Sequence, residues 1–215
     1  MGRAQGPSPE EKRAGIKKNI LFVGNSYTYY SDMPEALFAP MAKAAGFDCT
    51  VTMVAVGNCS LSRFADETDR AGQKLRDAIA GQHYDMVVLQ EHGLRPVAEP
   101  AYFDDGLVRL LRLLGPQAER FMLYATPGRQ NGHADLRQLG MDCAEMTEQV
   151  AQAYDAAGEK YGLPVAQVGR AFLRYGAAHP EAELYDPDLL HPSMLGSALA
   201  AEEILRVMMG EYAKN

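Results

Sequence analysis

The sequence is poor in cysteine, and this shortage excludes two kinds of stabilising site. Its 215 residues include three cysteines, Cys49, Cys59 and Cys143, and no two of them have the C-x-x-C spacing. An odd and widely spaced set fits neither a disulfide framework nor a zinc site. We therefore interpret the three as buried thiols and expect no bound metal.

The chain also has few basic residues and no long apolar run. Lysine and arginine number 21 against 28 aspartates and glutamates, so the formal net charge is -7. Nucleic-acid binding depends on clustered Lys and Arg, and no nucleic-acid partner is expected. No apolar stretch approaches the roughly 20 residues that cross a bilayer, which argues against a membrane partner. Residues 1–18 are polar and lack an apolar segment with a cleavage site, so we expect a cytoplasmic protein.

What the sequence does contain is a regular alternation of short apolar runs and longer helical patterns. Hydrophobic residues make up 47% and charged residues 23%, a usual globular mix. Five runs are predicted to be strands: residues 19–23, 50–54, 86–89, 121–124 and 164–168. Five segments are predicted to be helices: residues 34–45, 68–80, 102–114, 139–161 and 194–209.

This alternation is typical of βαβ units, and it predicts the α/β class with a five-stranded parallel sheet covered by helices on both faces. The length suits one such domain better than two. We predict a single domain over residues 18–215 and a mobile N-terminal tail over residues 1–17.

A candidate nucleophile follows the first predicted strand, in the segment Gly24-Asn25-Ser26. In a doubly wound sheet the ligand crevice lies beyond the carboxyl ends of the strands, which is where Ser26 is expected. If a helix starts there, its free backbone N–H groups favour negative charge near the hydroxyl. The segment is also ordinary turn and capping chemistry, so by itself it does not distinguish a nucleophile from a structural turn.

A serine nucleophile needs a base, and His191 is the best placed of the five histidines. It precedes the last predicted helix and lies three residues after Asp188. A carboxylate at this spacing is able to accept from one ring nitrogen while the other faces the crevice, as in a Ser-His-Asp triad. An aspartate in such a loop also caps helices or is simply solvated, so this motif is ambiguous alone.

Together the two motifs resemble the SGNH/GDSL hydrolases, in which a Gly-Asp-Ser or Gly-Asn-Ser block supplies the nucleophile and an Asp-x-x-His block the other two triad members. The Gly-Asn-Ser block ending at Ser26 and the Asp-Leu-Leu-His block ending at His191 match that order, and the resemblance covers residues 18–210. It implies a three-layer α/β/α flavodoxin-like sandwich. It also implies Ser26 as nucleophile, His191 as base and Asp188 as the carboxylate that orients the base, with no cofactor.

The resemblance further implies an oxyanion hole, which the family builds from a glycine after the second strand and an asparagine after the third. Gly57 lies at the first place, where its backbone N–H would join that of Ser26. As structure alone, Gly57 is a turn residue.

At the second place the chain departs from the family, because Gln90 and Glu91 stand where a Gly-x-Asn-Asp block is usual. Gln90 carries the same carboxamide, and we predict that it replaces the asparagine. Asn58 and His92 are alternative donors, and Glu91 is a candidate structural carboxylate. The Gln-Glu pair resembles carbohydrate esterases more than lipases. Four further loop residues are candidates for a polar sugar site: Tyr27, Tyr29, Tyr30 and Arg95.

These implications amount to a serine hydrolase that cleaves a small acyl ester, acetyl in particular, through an acyl-enzyme. The expected partner is a small-molecule ester, with an acylated sugar as one possibility. Two other functions stay open: an acyltransferase on the same fold, and a non-catalytic flavodoxin-like domain that binds a phosphate at the first strand's loop. The histidines lack ligand spacing, which argues against a metal-dependent phosphoesterase.

Overall fold

The computed structural model describes residues 17–214, and these contain one sheet of five parallel strands. The strands are β1 Lys18–Gly24, β2 Cys49–Ala55, β3 Met86–Leu89, β4 Phe121–Ala125 and β5 Val165–Gln167. Their order is β2-β1-β3-β4-β5. This is the flavodoxin-like doubly wound order, in which the ligand crevice opens near the β1/β3 switch point. The predicted α/β class and parallel sheet are confirmed. Residues 1–16 of the predicted tail lie outside the described residues.

Ten α-helices lie within the described residues, and five of them have ten or more residues. The helices are α1 Ser26–Tyr29, α2 Ala39–Ala44, α3 Leu61–Ala65, α4 Arg70–Ile79, α5 Arg95–Ala98, α6 Pro100–Leu114, α7 Ala134–Leu139, α8 Cys143–Tyr161, α9 Val168–Ala178 and α10 Met194–Ala213. A 3-10 turn, Tyr30–Asp32, and a π-helical segment, Met33–Phe38, connect α1 to α2. None of the helices between residues 17 and 214 combines the length and the apolar character that crossing a membrane requires.

The core is divided by the sheet into two layers. In β1, Leu21 and Val23 face one side and pack with residues of α3, α4, α6 and α8. Ile20 and Phe22 face the other side and pack with the π-helical segment, α2, α9 and α10. All four side chains are fully buried. Alternate side chains of a strand point to opposite faces, so a strand buried on both faces has a continuous apolar sequence.

The structure corrects several predicted boundaries. The helix predicted over residues 139–161 begins later, at Cys143, because Gly140 adopts the left-handed conformation at φ +65° and ends the separate helix α7 at Leu139. Asp142 then caps α8, where its side chain accepts from the Glu145 N–H and the Glu145 side chain accepts from the Asp142 N–H. The strand predicted over residues 164–168 ends at Gln167, and Val168 begins α9. The short helices α1, α3, α5 and α7 escaped prediction because four to six residues show no clear helical period. The longer α9 escaped prediction as well, since its first residue was assigned to the preceding strand.

Candidate active site

The turn after β1 presents the Ser26 hydroxyl. β1 ends at Gly24, and Asn25 caps α1 by accepting a hydrogen bond from the Tyr27 N–H at 3.3 Å. Ser26 is the first residue of α1, so its own N–H has no acceptor within that helix. Among residues 17–214, the Ser26 Oγ makes no hydrogen bond. Both groups are therefore free to meet a ligand.

The loop before α10 holds His191 against Asp188. The Asp188 Oδ2 lies 2.6 Å from His191 Nδ1, and the Oδ1 accepts from the backbone N–H groups of Leu190 and His191 at 3.0 and 2.9 Å. Partial burial acts to raise the pKa of Asp188, but these hydrogen bonds outweigh it and the pKa lies below its usual value. An ionised Asp188 favours the tautomer with the proton on Nδ1, which leaves Nε2 as the basic nitrogen.

Ser26 and His191 line a common pocket of about 320 Å³. The pocket opens at the carboxyl ends of the strands, since its walls come from the loops after β1, β2, β3 and β4 and from the loop before α10. Its lining residues are Asn25, Ser26, Tyr27, Tyr29, Gly57, Asn58, His92, Gly93, Arg129, Leu190 and His191. A second cavity of about 400 Å³ beside Cys143 and Tyr185 contains neither Ser26 nor His191.

The loop after β2 contributes Gly57 and Asn58 to the pocket wall. Within the described chain the Gly57 N–H has no backbone acceptor, so it is available for a ligand. Asn58 adopts the left-handed conformation at φ 54°, which asparagine tolerates better than most other non-glycine residues. This conformation is part of a tight turn that keeps both residues against the Ser26 turn.

Gln90 does not line the pocket, although the sequence predicted it as an oxyanion donor. It is 1% exposed, and its Oε1 accepts from the Asn25 N–H at 2.8 Å and from Thr28 Oγ1 at 2.9 Å. Its Nε2 donates to Asn25 Oδ1 at 3.0 Å and to the Glu91 carbonyl. Both N–H donors and the carbonyl oxygen are thus used inside the protein. The geometry argues against Gln90 as an oxyanion donor. The hydrogen bonds of Gln90 instead stabilise the turn that carries Ser26.

Glu91 is a buried carboxyl group that joins two of the site loops. Its side chain accepts from the Leu61 N–H at 3.1 Å and from the His92 N–H at 2.5 Å, and it is fully buried. Burial raises the pKa of Glu91 to about 7 against the opposing effect of these hydrogen bonds. Burial and the positive charge of Arg129 lower the pKa of His92, so His92 enters the pocket as a neutral ring.

Tyr30 stacks on the ring of His191, a contact that the sequence did not predict. The ring centroids are 4.0 Å apart and the planes differ by 5°. The two residues that follow, Ser31 and Asp32, both have positive φ, at 55° and 46°. These strained conformations turn the chain sharply after α1 and accompany the placement of Tyr30 over the imidazole.

Of the other candidates for a sugar site, Tyr29 lies at the pocket and Arg95 does not. Tyr29 lines the pocket, as a sugar-site residue would. Arg95 does not line it; its guanidinium lies 4.4 Å from the centre of the Tyr102 ring and pairs with Glu99 at 2.8 Å. Glu99 lies at the junction of α5 and α6, and Tyr102 lies in α6. Arg95 therefore joins these two helices, which is a structural role.

Arg129 is a pocket residue that sequence reasoning missed. It is 4% exposed and lines the pocket four residues after the end of β4. Its Nη1 donates to Tyr27 Oη at 2.7 Å and its Nε to Asp135 Oδ2 at 3.1 Å. No motif marks it in the sequence. The signal that was available is its position after a strand's carboxyl end, the same rule that located Ser26.

Comparison with solved structures finds proteins that share this architecture. A protein from Slackia heliotrinireducens assigned to the SGNH hydrolases is 30% identical, with a TM-score of 0.76, over 90% of this chain and 100% of that one. A DUF4886 family protein from Bacteroides uniformis is 17% identical, with a TM-score of 0.70, over 89% of this chain and 83% of that one. A variant of Axe2, an acetyl xylan esterase from Geobacillus stearothermophilus, is 14% identical, with a TM-score of 0.61, over 91% and 96%.

The sheet order and the position of the pocket define a flavodoxin-like α/β protein with its site at the strand ends. The match to the Slackia protein spans that whole chain at 30% identity, and the present chain belongs to the SGNH hydrolases. It is therefore an enzyme of the hydrolase class, as the two sequence motifs implied. The Bacteroides and Geobacillus proteins show the shared fold. A scan of family models and a search of curated proteins both find no match.

Proposed function

We propose that this hydrolase is a serine esterase that removes small acyl groups, acetyl above all, through an acyl-enzyme on Ser26. One observation carries the proposal: an unbonded Ser26 hydroxyl and a His191 ring held by Asp188 line the same small pocket. Nucleophilic serine chemistry needs this combination of a free hydroxyl, a base within reach and a group that orients the base.

In the proposed mechanism, His191 Nε2 takes the proton from Ser26 Oγ as the oxygen attacks the ester carbonyl. The carbonyl oxygen becomes an oxyanion, and the protonated His191 then passes its proton to the departing alcohol. Water attacks the acyl-enzyme by the same route and releases the acid. Asp188 remains ionised throughout and stabilises the imidazolium that forms twice in the cycle.

The oxyanion is proposed to bind the backbone N–H groups of Ser26 and Gly57, neither of which has an acceptor in the described chain. Asn58 and His92 are the proposed candidates for a third donor, because both residues line the pocket, whereas Gln90 does not line it and its amide is already bonded. Loss of one such donor typically costs about 2.7 to 4 kcal/mol of transition-state stabilisation. A comparison of Asn58→Ala with His92→Ala separates the two candidates by the larger loss of kcat.

The preference for a small acyl group rests on the size of the pocket, about 320 Å³, which includes the space for the alcohol part. The polar residues of its wall, Tyr29, Asn58 and His92, suit a hydroxyl-rich alcohol such as a sugar. Axe2, which shares the fold, is an acetyl xylan esterase. An acetylated carbohydrate is thus the substrate class that we propose.

The proposal is tested with p-nitrophenyl acetate, butyrate and octanoate, using the wild type and Ser26→Ala. We expect the acetate to be the best substrate and Ser26→Ala to lose at least about 10³-fold in kcat. Ser197→Ala is a matched control, because the Ser197 hydroxyl is buried without a partner and lies away from the pocket. Full activity of Ser26→Ala would overturn the proposal, as would failure of a fluorophosphonate probe to label Ser26.

A further inference from the structure

We propose that Arg129 binds a carboxylate on the substrate, so that the preferred esters carry one negative charge next to the scissile bond. This inference rests on the proposed esterase function of the same pocket and adds a substrate class to it. The observations behind it are the unused donors of Arg129, the charge of the pocket wall and the way in which the side chain is held.

The guanidinium of Arg129 is buried and only partly bonded. Arginine has five N–H donors. In the part of the chain that the structure describes, two of them have partners, on Tyr27 and Asp135, and the other three have none. Nη2 has no hydrogen bond and is not sealed inside the protein, and Arg129 lines the pocket. Accessible guanidinium donors without a protein partner are available to the oxygen atoms of a ligand.

The pocket wall carries a guanidinium in a protein of net charge -7. Among the eleven residues that line it, Arg129 is the only arginine or lysine, and there is no aspartate or glutamate. His92 adds no charge, because its pKa is lowered by burial and by Arg129. Low-dielectric walls strengthen the field of such a charge, so a negative ligand is favoured over a neutral one.

Two contacts fix the position of the guanidinium. Asp135 holds Nε from one side with a single hydrogen bond, and its side chain is 31% exposed. Gly93 gives Nη1 the space it occupies, since a Cβ at Gly93 would lie 2.8 Å from that atom. The fork is therefore held in place before a ligand arrives, which lowers the entropic cost of binding one.

A planar carboxylate with one charge fits this site best. Arginine binds carboxylates through parallel N–H···O bonds, and three free donors are sufficient for a two-point contact. Asp135 already neutralises part of the guanidinium charge, and Asp188 lies behind His191. These two carboxylates oppose the binding of a dianion, so a carboxylate is preferred over a phosphate monoester.

The test uses two pairs of small esters that differ by one carboxylate. Methyl butyrate and monomethyl succinate place the difference on the acyl side, and ethyl acetate and acetoxyacetate place it on the alcohol side. Acid release is followed by pH-stat, and each kcat/KM is divided by the rate constant for hydroxide-catalysed hydrolysis. We expect the wild type to prefer the carboxylate member of one pair by about tenfold or more, the strength of a charge-assisted hydrogen bond. The pair that shows the preference locates the carboxylate on the substrate.

Arg129→Met is expected to abolish this preference, measured as the ratio of the two kcat/KM values within each pair, and Arg129→Lys is expected to keep part of it. Arg170→Met is the matched control, because Arg170 pairs with Glu148 and Asp155 away from the pocket. If Arg129→Met fails to fold, Gly93→Ala displaces the guanidinium without removing it and should reduce the preference. No preference in the wild type, or the same preference in Arg129→Met, would overturn the inference.

The outcome is separable from that of the proposed function. Ser26-dependent hydrolysis of ethyl acetate without a carboxylate preference would leave the esterase proposal standing and overturn this one. If no ester is hydrolysed, binding still gives an answer: acetoxyacetate should bind Ser26→Ala by calorimetry and should bind the Ser26→Ala, Arg129→Met double variant at least about tenfold more weakly. Equal binding to both would overturn the inference.

Discussion

At the scale of single residues, the pocket is defined by which polar atoms are already bonded and which are free. The Ser26 hydroxyl and the N–H of Gly57 have no partner within the described chain, whereas every polar atom of the Gln90 side chain does. A buried donor or acceptor that has satisfied its hydrogen bonds is costly to withdraw from them. The free atoms are therefore the ones that we propose to react, and the bonded ones are proposed to support them.

Asp188→Asn tests whether Asp188 orients His191 and stabilises its protonated form. The amide would hold the His191 ring but favour the wrong tautomer and would not stabilise the imidazolium, so kcat should fall by about 10³- to 10⁴-fold. Asp186→Asn is the control, because the hydrogen bond between Asp186 and His191 is made by backbone atoms. The measurement is kcat on p-nitrophenyl acetate. An Asp188→Asn enzyme as active as Asp186→Asn would contradict the role of Asp188.

Tyr30→Ala tests whether the stacked Tyr30 ring positions the His191 imidazole. Loss of the 4.0 Å stack should let the imidazole rotate out of line with Ser26, and kcat should fall by about tenfold, the usual strength of an aromatic pair. Tyr30→Phe keeps the ring and should retain most of the activity. Tyr175→Ala removes a comparable ring contact, with His179, far from the pocket and should have no effect on kcat. A loss in Tyr30→Phe equal to that in Tyr30→Ala would show that the hydroxyl matters instead of the ring.

At the scale of elements, a buried polar network ties three strand-end loops together. The Asn25 Nδ2 donates to the Cys59 carbonyl at 3.0 Å, and its Oδ1 accepts from Gln90. These contacts join the loops after β2, β1 and β3, which are neighbours in the sheet. Gly24 is required in this network, because a Cβ there would overlap both Thr28 Oγ1 and Gln90 Oε1. The Gly-Asn-Ser block thus serves the packing of the loops as well as the placement of the hydroxyl.

Gln90→Met tests whether the network is structural. The change leaves the Asn25 N–H and other buried groups without partners, so the free energy of unfolding should fall by about 2 to 4 kcal/mol. Urea unfolding measures this loss, and Gln152→Met is the control, because Gln152 bonds Glu148 on the exposed face of α8. If kcat of the folded Gln90→Met protein fell instead, with stability unchanged, the original oxyanion prediction would regain support.

At the scale of the whole molecule, one buried carboxyl group links stability to pH. Burial raises the pKa of Glu91 to about 7, against 4.5 for an unperturbed glutamate. Below pH 4.5 the group is neutral in both the folded and the unfolded chain. As pH rises from 4.5 to 7, the unfolded chain loses this proton first, so the contribution of Glu91 to the free energy of unfolding falls and is lost near pH 7.

The expected loss across that window is about 3 kcal/mol for this one group. Urea unfolding of the wild type and Glu91→Gln between pH 4.5 and 8 isolates it, because the difference between the two proteins cancels the titration of the other groups. The stability of the wild type relative to Glu91→Gln should fall as pH rises. Glu159→Gln, at an exposed position of α8, should follow the wild type at every pH. Parallel curves for the wild type and Glu91→Gln would contradict the raised pKa.

The sequence alone was sufficient for the features that depend on local pattern. β-branched and apolar runs are buried on both faces of the sheet, and the predicted strands fall within a residue or two of the observed ones. The strands follow from chain periodicity, which is written in consecutive residues. The strand-end rule and the Asp-x-x-His spacing each left an alternative open, and the resemblance that joins the two motifs predicted one site. Ser26 and His191 do line one pocket.

Only the tertiary structure decided how the polar groups around that pocket are used. Gln90 turned inward because Asn25 and Thr28 offer it partners from another loop, and Arg129 reached the pocket through contacts with Tyr27 and Asp135. Tyr30 came to lie on His191 although 161 positions separate them in the chain. Each of these contacts joins segments that are distant in sequence. Which hydrogen bonds form between such segments depends on how the segments pack, and a local sequence pattern carries no information on that packing.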